Sequence, residues 1–500
     1  MSPWISYTSV IPLLAVLVSL AAVPLIILSR RRPNLREFWT LTAGVAKFAL
    51  VLSLLPEALQ NQTASLELFD IIPGVKLALR ADPLGVFFAL IASGLWVLTS
   101  LYSIGYVRGL KEHKQTRYFS YFAVCLSATI GIAFSANLLT FIIFYEILTI
   151  ATYPLVIHKE TDKAVSAGRK YLAYTLSAGV LLIAAAGWTY QIAGSLDFIP
   201  GGLLQETPAG AGVIRPLFLL FLAGVGVKAS VMPLHSWLPA AMAAPTPVSA
   251  LLHAVAVVKS GVFGVIRTAM FIFGPDLMRR FDLNTVLIVF ASFTILMGSF
   301  LALKQDNLKR RLAYSTIAHL SYIVLGVGAA GSTALLGSML HIAFHATMKI
   351  TLFFCAGAIY VNLHKEKISE LDGIGKVMPW TMAAFGVGSV GLAGIPPVNG
   401  FISKWFLGSG AVESGYPIIL AVLVLSGILN AAYFFPIIQR AFFRKGKDLE
   451  GRSEASPFMV VPLVITALLS LALGIYPDLF LRIFRLALTA ADGLFKGGIL

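Results

Sequence analysis

Long apolar runs recur along the whole 500-residue chain, and this feature restricts its fold more than any other. Each run is about as long as the roughly 20 residues that a helix needs to cross a bilayer. Only 12% of the residues are charged, whereas soluble domains carry about 25% charged residues. A soluble or disordered chain is therefore excluded, and the sequence predicts an all-α integral membrane protein.

Fourteen of these runs are predicted to be transmembrane helices, called spans here. Strands are not expected, because the runs are continuous and lack the alternation of membrane barrels. Prolines interrupt the seventh and the twelfth span, so both are expected to be broken helices. The predicted spans cover residues 8–29, 38–56, 83–106, 118–134, 137–157, 171–193, 216–240, 248–273, 284–303, 313–330, 333–361, 380–412, 416–439 and 457–480.

The basic residues are distributed unevenly between alternate loops. Loops after odd-numbered spans hold 24 Lys and Arg, whereas loops after even-numbered spans and the C-terminal tail hold 8. Since cytoplasmic loops are enriched in Lys and Arg, we expect an inner-membrane protein with both termini outside. The net charge of +15 then reflects topology and contact with anionic lipid, and nucleic acid is excluded as a partner.

Eleven Lys, Arg, Glu and His residues lie deep within the predicted spans, where a charge costs several kcal/mol and by default marks an ion pathway. Arg267, near a span end, is interpreted as an anchor that reaches the headgroups, and so is Lys47. No motif for a cofactor or a metal is found, because Cys125 and Cys355 lie far apart in apolar runs. The other nine residues are Glu146, Lys228, His253, Lys259, His319, His341, His345, Lys349 and Lys404.

Lys228 lies one turn before Pro233, at the predicted break in span 7. Freed carbonyls at membrane depth are tolerated only inside protein or beside water, so the break indicates an ion site. The alternative is a structural kink with a lysine that reaches the headgroups. Glu146 has no acidic partner in its span, and Lys228 is the obvious opposite charge to stabilise it.

A second break, at residues 394–400 before Lys404, occupies the corresponding place in span 12. Two such broken spans point to inverted repeats of five helices, here spans 4–8 and 9–13. The resulting division is 1–110 for spans 1–3, 111–280 and 281–445 for the two repeats, and 446–500 for span 14 and the tail.

His341, His345 and Lys349 recur every four residues and therefore lie on one face of span 11. A hydrogen-bonded core histidine remains the alternative for His341. For His319, and for His253 with Lys259, a functional and a structural reading remain equally open.

Four segments carry a resemblance to a known family: VKASVMPLHSWLPAAMAAPTPVSALLHAVAVVKSGVFGVIR, YSTIAHLSY, HIAFHATMKITLFFCAGAIY and GIPPVNGFISKW. Over about residues 80–440 the chain resembles the antiporter-like membrane subunits of respiratory complex I, Mrp cation/proton antiporters and membrane-bound hydrogenases. The resemblance implies fourteen helices, two inverted five-helix repeats, and discontinuous helices 7 and 12. It also implies a proton relay with a switching pair, Glu146 and Lys228, followed by His253, Lys259, His319, His345, Lys349 and Lys404.

Length and the span-11 motif are most similar to the D subunit of Mrp antiporters or its hydrogenase counterpart. We therefore expect a proton-translocating subunit with other membrane subunits as partners. No carboxylate cluster suited to Na⁺ lies in the spans, so any sodium path is expected in another subunit. Two alternatives stay open: a stand-alone carrier with a substrate-sized polar pocket, and an assembly subunit of a redox enzyme whose chemistry lies in partner chains.

Overall fold

The computed structural model describes residues 4–446, 449, 453–479 and 481–495, without the side chains of residues 252 and 253. It is a helical bundle with one small sheet. Its helices are α1 (Ile11–Leu28), α2 (Pro33–Leu52), α3 (Leu55–Leu59), α4 (Pro83–Gly109), α5 (Gln115–Ala133), α6 (Leu138–Val156), α7 (Asp162–Ala193), α8 (Ala211–Lys228), α9 (Trp237–Ala240), α10 (Thr246–Ala254), α11 (Val257–Arg267), α12 (Pro275–Arg280), α13 (Leu283–Leu303), α14 (Leu308–Ala329), α15 (Ser332–Leu363), α16 (Pro379–Ala393), α17 (Gly400–Glu413), α18 (Ile418–Phe443), α19 (Pro457–Ile475) and α20 (Ile483–Asp492).

Eleven helical segments in the described ranges are long and apolar enough to cross a bilayer. All eleven overlap predicted spans, so the all-α membrane class is confirmed. The three other predicted spans contain α5 and two pairs of shorter helices, α10 with α11 and α16 with α17. The number of fourteen crossings and the repeat boundaries stay predictions.

Both predicted helix breaks are present in the structure. The first separates α8 from α9 at residues 229–236, and the second separates α16 from α17 at residues 394–399. A third break was not predicted: α10 ends at Ala254 and α11 begins at Val257. No proline lies at this third break, so the proline pattern could not show it.

A three-stranded sheet corrects the expectation that the chain has no strands. β1 (Ile5–Thr8) pairs in parallel with β2 (Gln62–Ile72), which pairs antiparallel with β3 (Val75–Ala81). The expectation was based on the apolar runs, whereas this sheet forms mainly between spans 2 and 3. Gly74 takes a positive φ of 75° in the turn between β2 and β3, a conformation that glycine adopts without strain.

The loops segregate into two groups at opposite ends of the bundle. At the basic end, Arg108 contacts Glu37, and Lys114 donates to Glu160 at 2.7 Å. At the other end, Arg80 of β3 donates to the carbonyl of Phe198 at 2.5 Å. This grouping agrees with the alternation of basic and non-basic loops in the sequence. Which end faces the cytoplasm stays a prediction.

Helix α15 forms the centre of the bundle, and the most apolar part of it is completely buried. It packs against α14, α17, α10, α16 and α19. Because its whole circumference is covered by protein, its polar residues face other helices and not lipid. The face of α15 that carries His341, His345 and Lys349 is therefore buried inside the bundle.

Candidate functional site

Most of the predicted relay residues lie inside the bundle. Lys228, Lys259, His319, His345 and Lys349 are at most 1% exposed. Glu146 and Lys404 are half-buried. The backbone of His253 belongs to α10, but its side chain lies outside the described part of the chain.

Lys228 is held by the residue next to Glu146 and not by Glu146 itself. Its Nζ donates to the carbonyl of Tyr145 at 2.6 Å and lies 3.3 Å from the centroid of the Tyr145 ring. Among the described side chains, no ion pair within 4.0 Å joins Lys228 to Glu146. The Glu146–Lys228 pair therefore stays a prediction.

The Glu146 carboxylate packs against the backbone of Gly179 on α7. A Cβ added at Gly179 would lie 2.6 Å from the Oε1 of Glu146. This Oε1 is buried and has no hydrogen-bond partner among the described residues. An unsatisfied carboxylate oxygen at membrane depth is costly, which marks Glu146 as more than a packing residue.

The break after α8 is stabilised by a hydrogen bond from α9, by one to Thr294 of α13 and by close packing of α11. Trp237 Nε1, at the start of α9, donates at 2.8 Å to the carbonyl of Val227. On the other side, a Cβ at Gly261 of α11 would lie 2.1 Å from the amide nitrogen of Ala229, so only glycine allows this approach. These contacts hold the end of α8, and with it Lys228, in one position.

The centre of the site is a cluster of one lysine and three histidines. Lys259 Nζ lies 3.1 Å from Nδ1 of His345. His319 Nδ1 lies 3.2 Å from Nε2 of His341, and the His319 ring centroid is 5.4 Å from that of His345. His341 Nδ1 in turn lies 2.9 Å from the hydroxyl of Ser403 on α17. Both His341 and His345 thus belong to the cluster.

A branch leads from this cluster to Lys404 through Asn430 on α18. Asn430 Nδ2 lies 3.2 Å from Nε2 of His319 and donates to the carbonyl of Leu392 at 3.0 Å. Lys404 Nζ donates to the same carbonyl at 2.8 Å and to that of Ala393 at 2.9 Å. Lys404 therefore donates hydrogen bonds to two backbone carbonyls at the end of α16, where the helix is broken.

A second branch leads to Lys349. Lys349 Nζ donates to Oγ of Ser315 at 2.8 Å, and the Tyr433 hydroxyl donates to the same Oγ at 2.9 Å. Tyr433 is also hydrogen-bonded to Asn430. Lys349 and Lys404 are thus connected through Asn430.

Several residues of this network were missed in the sequence because they are uncharged. Asn430 is the clearest, since it is the one amide in the first half of the apolar run of α18, in SGILNAAYFF. An amide in such a run costs free energy unless it is hydrogen-bonded, and this could have identified it. Ser315 and Ser403 gave no comparable indication, because serine hydroxyls commonly bond to their own helix. Tyr433 gave none either.

The interpretation of Lys47 and Arg267 as headgroup anchors was wrong. Arg267 donates from two nitrogens to Asp82 at 2.6 and 2.9 Å, and both side chains are at most 1% exposed. Lys47 is fully buried and donates to Ser19 at 2.7 Å. Both side chains lie inside the bundle, where they bind partners on neighbouring elements.

A cavity of about 740 Å³ borders Lys404 and is lined mainly by apolar residues of α17 and α18. A second cavity of about 490 Å³ lies at the basic end, between the start of α7 and the start of α14. It is lined by lysines such as Lys163 and Lys170, together with Arg310. The cavity of about 740 Å³ gives Lys404 access to the surface of the bundle.

A polytopic helical bundle with lysines and histidines connected inside it defines a membrane protein of the ion-transporting class. The family model described as NADH:quinone oxidoreductase/Mrp antiporter, transmembrane region, matches residues 135–429. The chain belongs to this family, as the resemblance of its motifs indicated.

Its relatives carry several names. The N subunit of the NADH-quinone oxidoreductase of Desulforudis audaxviator is 31% identical over 81% of this chain and 83% of the relative. The D subunit of the Na⁺/H⁺ antiporter of Alkalihalophilus pseudofirmus is 26% identical over 96% of both chains. Among solved structures, a chain of the Mrp complex of a Dietzia species is similar at a TM-score of 0.86 and 20% identity, covering 97% of this chain and 99% of its own. The structural likeness supports the fold.

Proposed function

We propose that this chain is the proton-translocating subunit of a multisubunit membrane complex, most like the D subunit of an Mrp Na⁺/H⁺ antiporter. The observation that carries the proposal is the series of closely spaced buried groups from Lys259 through the histidines to Lys404. Asn430 and Lys404 donate to the same Leu392 carbonyl, so a proton needs a bridging water to pass between them. Burying an ionisable group costs free energy. A series of such groups close to one another is therefore explained better by proton transfer than by a structural role.

Proton transfer begins in this scheme between Lys259 and Nδ1 of His345. An imidazole has two nitrogens, so it accepts a proton on one side and releases one on the other. The next step, from His345 to His319, crosses a ring separation of 5.4 Å without a direct hydrogen bond. It requires a bridging water or a rotation of one ring, and this step is a candidate gate.

Glu146 and Lys228 control the proton affinity of the series. In the described arrangement, Lys228 is bound to the Tyr145 carbonyl, which corresponds to an open pair. When Lys228 moves to the Glu146 carboxylate, its positive charge is neutralised, and Lys259 accepts a proton more readily. Opening the pair expels that proton toward His345.

The assignment to a D-type antiporter subunit is favoured over two alternatives. The antiporter relative aligns over 96% of both chains, somewhat more than a quinone oxidoreductase relative that aligns over 95% of this chain and 89% of its own. A complex I-like or hydrogenase subunit remains the second candidate, because its named relatives reach 31% identity. A stand-alone carrier is disfavoured, since the cavity of about 740 Å³ beside Lys404 is lined mainly by apolar residues of α17 and α18. Inner-membrane placement with both termini outside is part of this proposal.

The test is the response of a fluorescent pH probe in everted vesicles that contain the whole complex. Lys259→Ala and Lys228→Ala should abolish Na⁺-dependent dissipation of the pH gradient while membrane levels of the protein stay unchanged. Lys304→Ala, at an exposed loop lysine, is the matched control and should transport normally. Normal transport by both buried-lysine variants would rule out the relay. Activity of the purified single chain would instead favour the carrier.

A further inference from the structure

Three potential metal ligands meet at the basic end of the bundle, away from the buried relay. Glu112 and His113 lie in the loop between α4 and α5, and His158 lies just after α6. The ligand atoms of these three residues are all within 4.8 Å of one another. The two imidazole rings are stacked with their centroids 5.1 Å apart. Residues 45 positions apart in sequence thus form one cluster, which is why no metal was predicted.

His158 gives an independent reason to look for a ligand at this cluster. Its side chain is fully buried, yet neither ring nitrogen has a hydrogen-bond partner among the described residues. Buried polar atoms in proteins are nearly always hydrogen-bonded or coordinated. The nearest acid is Glu112, whose Oε2 lies 3.9 Å from His158 Nε2, beyond hydrogen-bond distance.

We propose that Glu112, His113 and His158 bind a divalent transition-metal ion, with Zn²⁺ as the best match. Two imidazoles and one carboxylate form a ligand set that Zn²⁺ takes with a fourth position left open. Zinc bonds of about 2.0–2.2 Å place neighbouring ligand atoms roughly 3.5 Å apart, so small side-chain rotations from the present spacing complete the site.

The fourth ligand is a water molecule in this proposal. Glu160 is the other acid nearby, with its Oε2 3.7 Å from His113 Nε2. It is already bound by Lys114 at 2.7 Å and by Arg117 at 2.6 Å, and therefore is not free to coordinate. Among the ion pairs of the described residues, Glu112 is paired with His158, and no lysine or arginine binds its carboxylate.

A bound ion would connect the α4–α5 loop to the end of α6, the helix that carries Glu146. The site lies outside the spans, so its existence does not depend on the proposed proton relay. Metal binding can therefore be measured on the protein without any transport assay.

The experiment measures Zn²⁺ affinity of the purified full-length chain in lipid nanodiscs, prepared without a polyhistidine tag, by competition with a fluorescent chelator. We expect one high-affinity site per chain, weakened at least about 10-fold by His158→Gln and by His113→Gln. His364→Gln changes an exposed histidine in another loop and should keep wild-type affinity. Co²⁺ substitution should give the strong visible absorption of a tetrahedral site.

Two results would overturn the site: a wild-type chain that binds no Zn²⁺ at micromolar concentration, or equal affinities for wild type and His113→Gln. His113 is exposed, so its variant remains informative even if replacing the buried His158 prevents folding. A loss of affinity in His364→Gln equal to that in His113→Gln would also overturn it, because binding would then be unspecific.

Discussion

Removing one partner of the buried Arg267–Asp82 pair should destabilise the protein more than breaking any other ion pair of the described residues. Asp82 accepts two hydrogen bonds from Arg267 and also caps α4, accepting from the amide of Gly85 at 2.7 Å. Asp82→Ala leaves a guanidinium buried without its counter-ion, which costs about 3–5 kcal/mol. Loss of the helix cap adds about 1 kcal/mol. We therefore expect a destabilisation of roughly 4–6 kcal/mol.

The assay is thermal unfolding followed with a thiol-reactive dye. Cys125 and Cys355 are both at most 1% exposed, so they react only when the bundle opens. Glu67→Ala is the matched control, because it removes an ion pair of similar distance, 2.5 Å, between exposed side chains. Such exposed pairs contribute about 0–1 kcal/mol.

Asp82→Ala should lower the unfolding temperature by many degrees, and Glu67→Ala should lower it little. The double variant Asp82→Ala with Arg267→Met should recover part of the loss, because it removes the unpaired charge. Equal effects of Asp82→Ala and Glu67→Ala would refute the reasoning that burial determines how much the loss of an ion-pair partner destabilises the protein.

Three further substitutions probe the site and its loops. Asn430→Leu removes the connection between His319 and Lys404, so vesicle transport should fall at least about 10-fold while the unfolding temperature changes by only a few degrees. Gly179→Ala places a methyl group against the Glu146 carboxylate and should impair transport. Gly187→Ala is the control on the same helix: its methyl group enters open space, so it should be neutral in the same assay. Burial raises the pKa of Asp306, but hydrogen bonds from Ser369 outweigh it and hold the pKa below its ordinary value of 3.8. The stability that wild type gains over Asp306→Asn should therefore be complete above about pH 4 and decline as the pH falls further, in unfolding curves recorded at each pH.

The sequence alone established the membrane class and the positions of the eleven helices that are long and apolar enough to cross a bilayer, and it indicated which loops are basic. These properties depend on local composition, because a helix of apolar residues inserts into lipid wherever the rest of the chain lies. The breaks near Pro233 and Pro396 were predictable for the same reason, since proline removes a hydrogen bond of its own helix. The break between α10 and α11 was not, because no residue there carries that local constraint.

The set of buried titratable residues was also available from sequence, but their connections were not. Lys259 and His345 are 86 positions apart, and Arg267 and Asp82 are 185 apart, so only packing brings them together. Asn430 and Ser403 joined the network through tertiary contacts with His319 and His341. The hydrophobicity of a segment is a property of its own residues and can be read along the sequence. Hydrogen bonds between side chains form over about 3 Å, so they depend on which helices become neighbours in the folded protein.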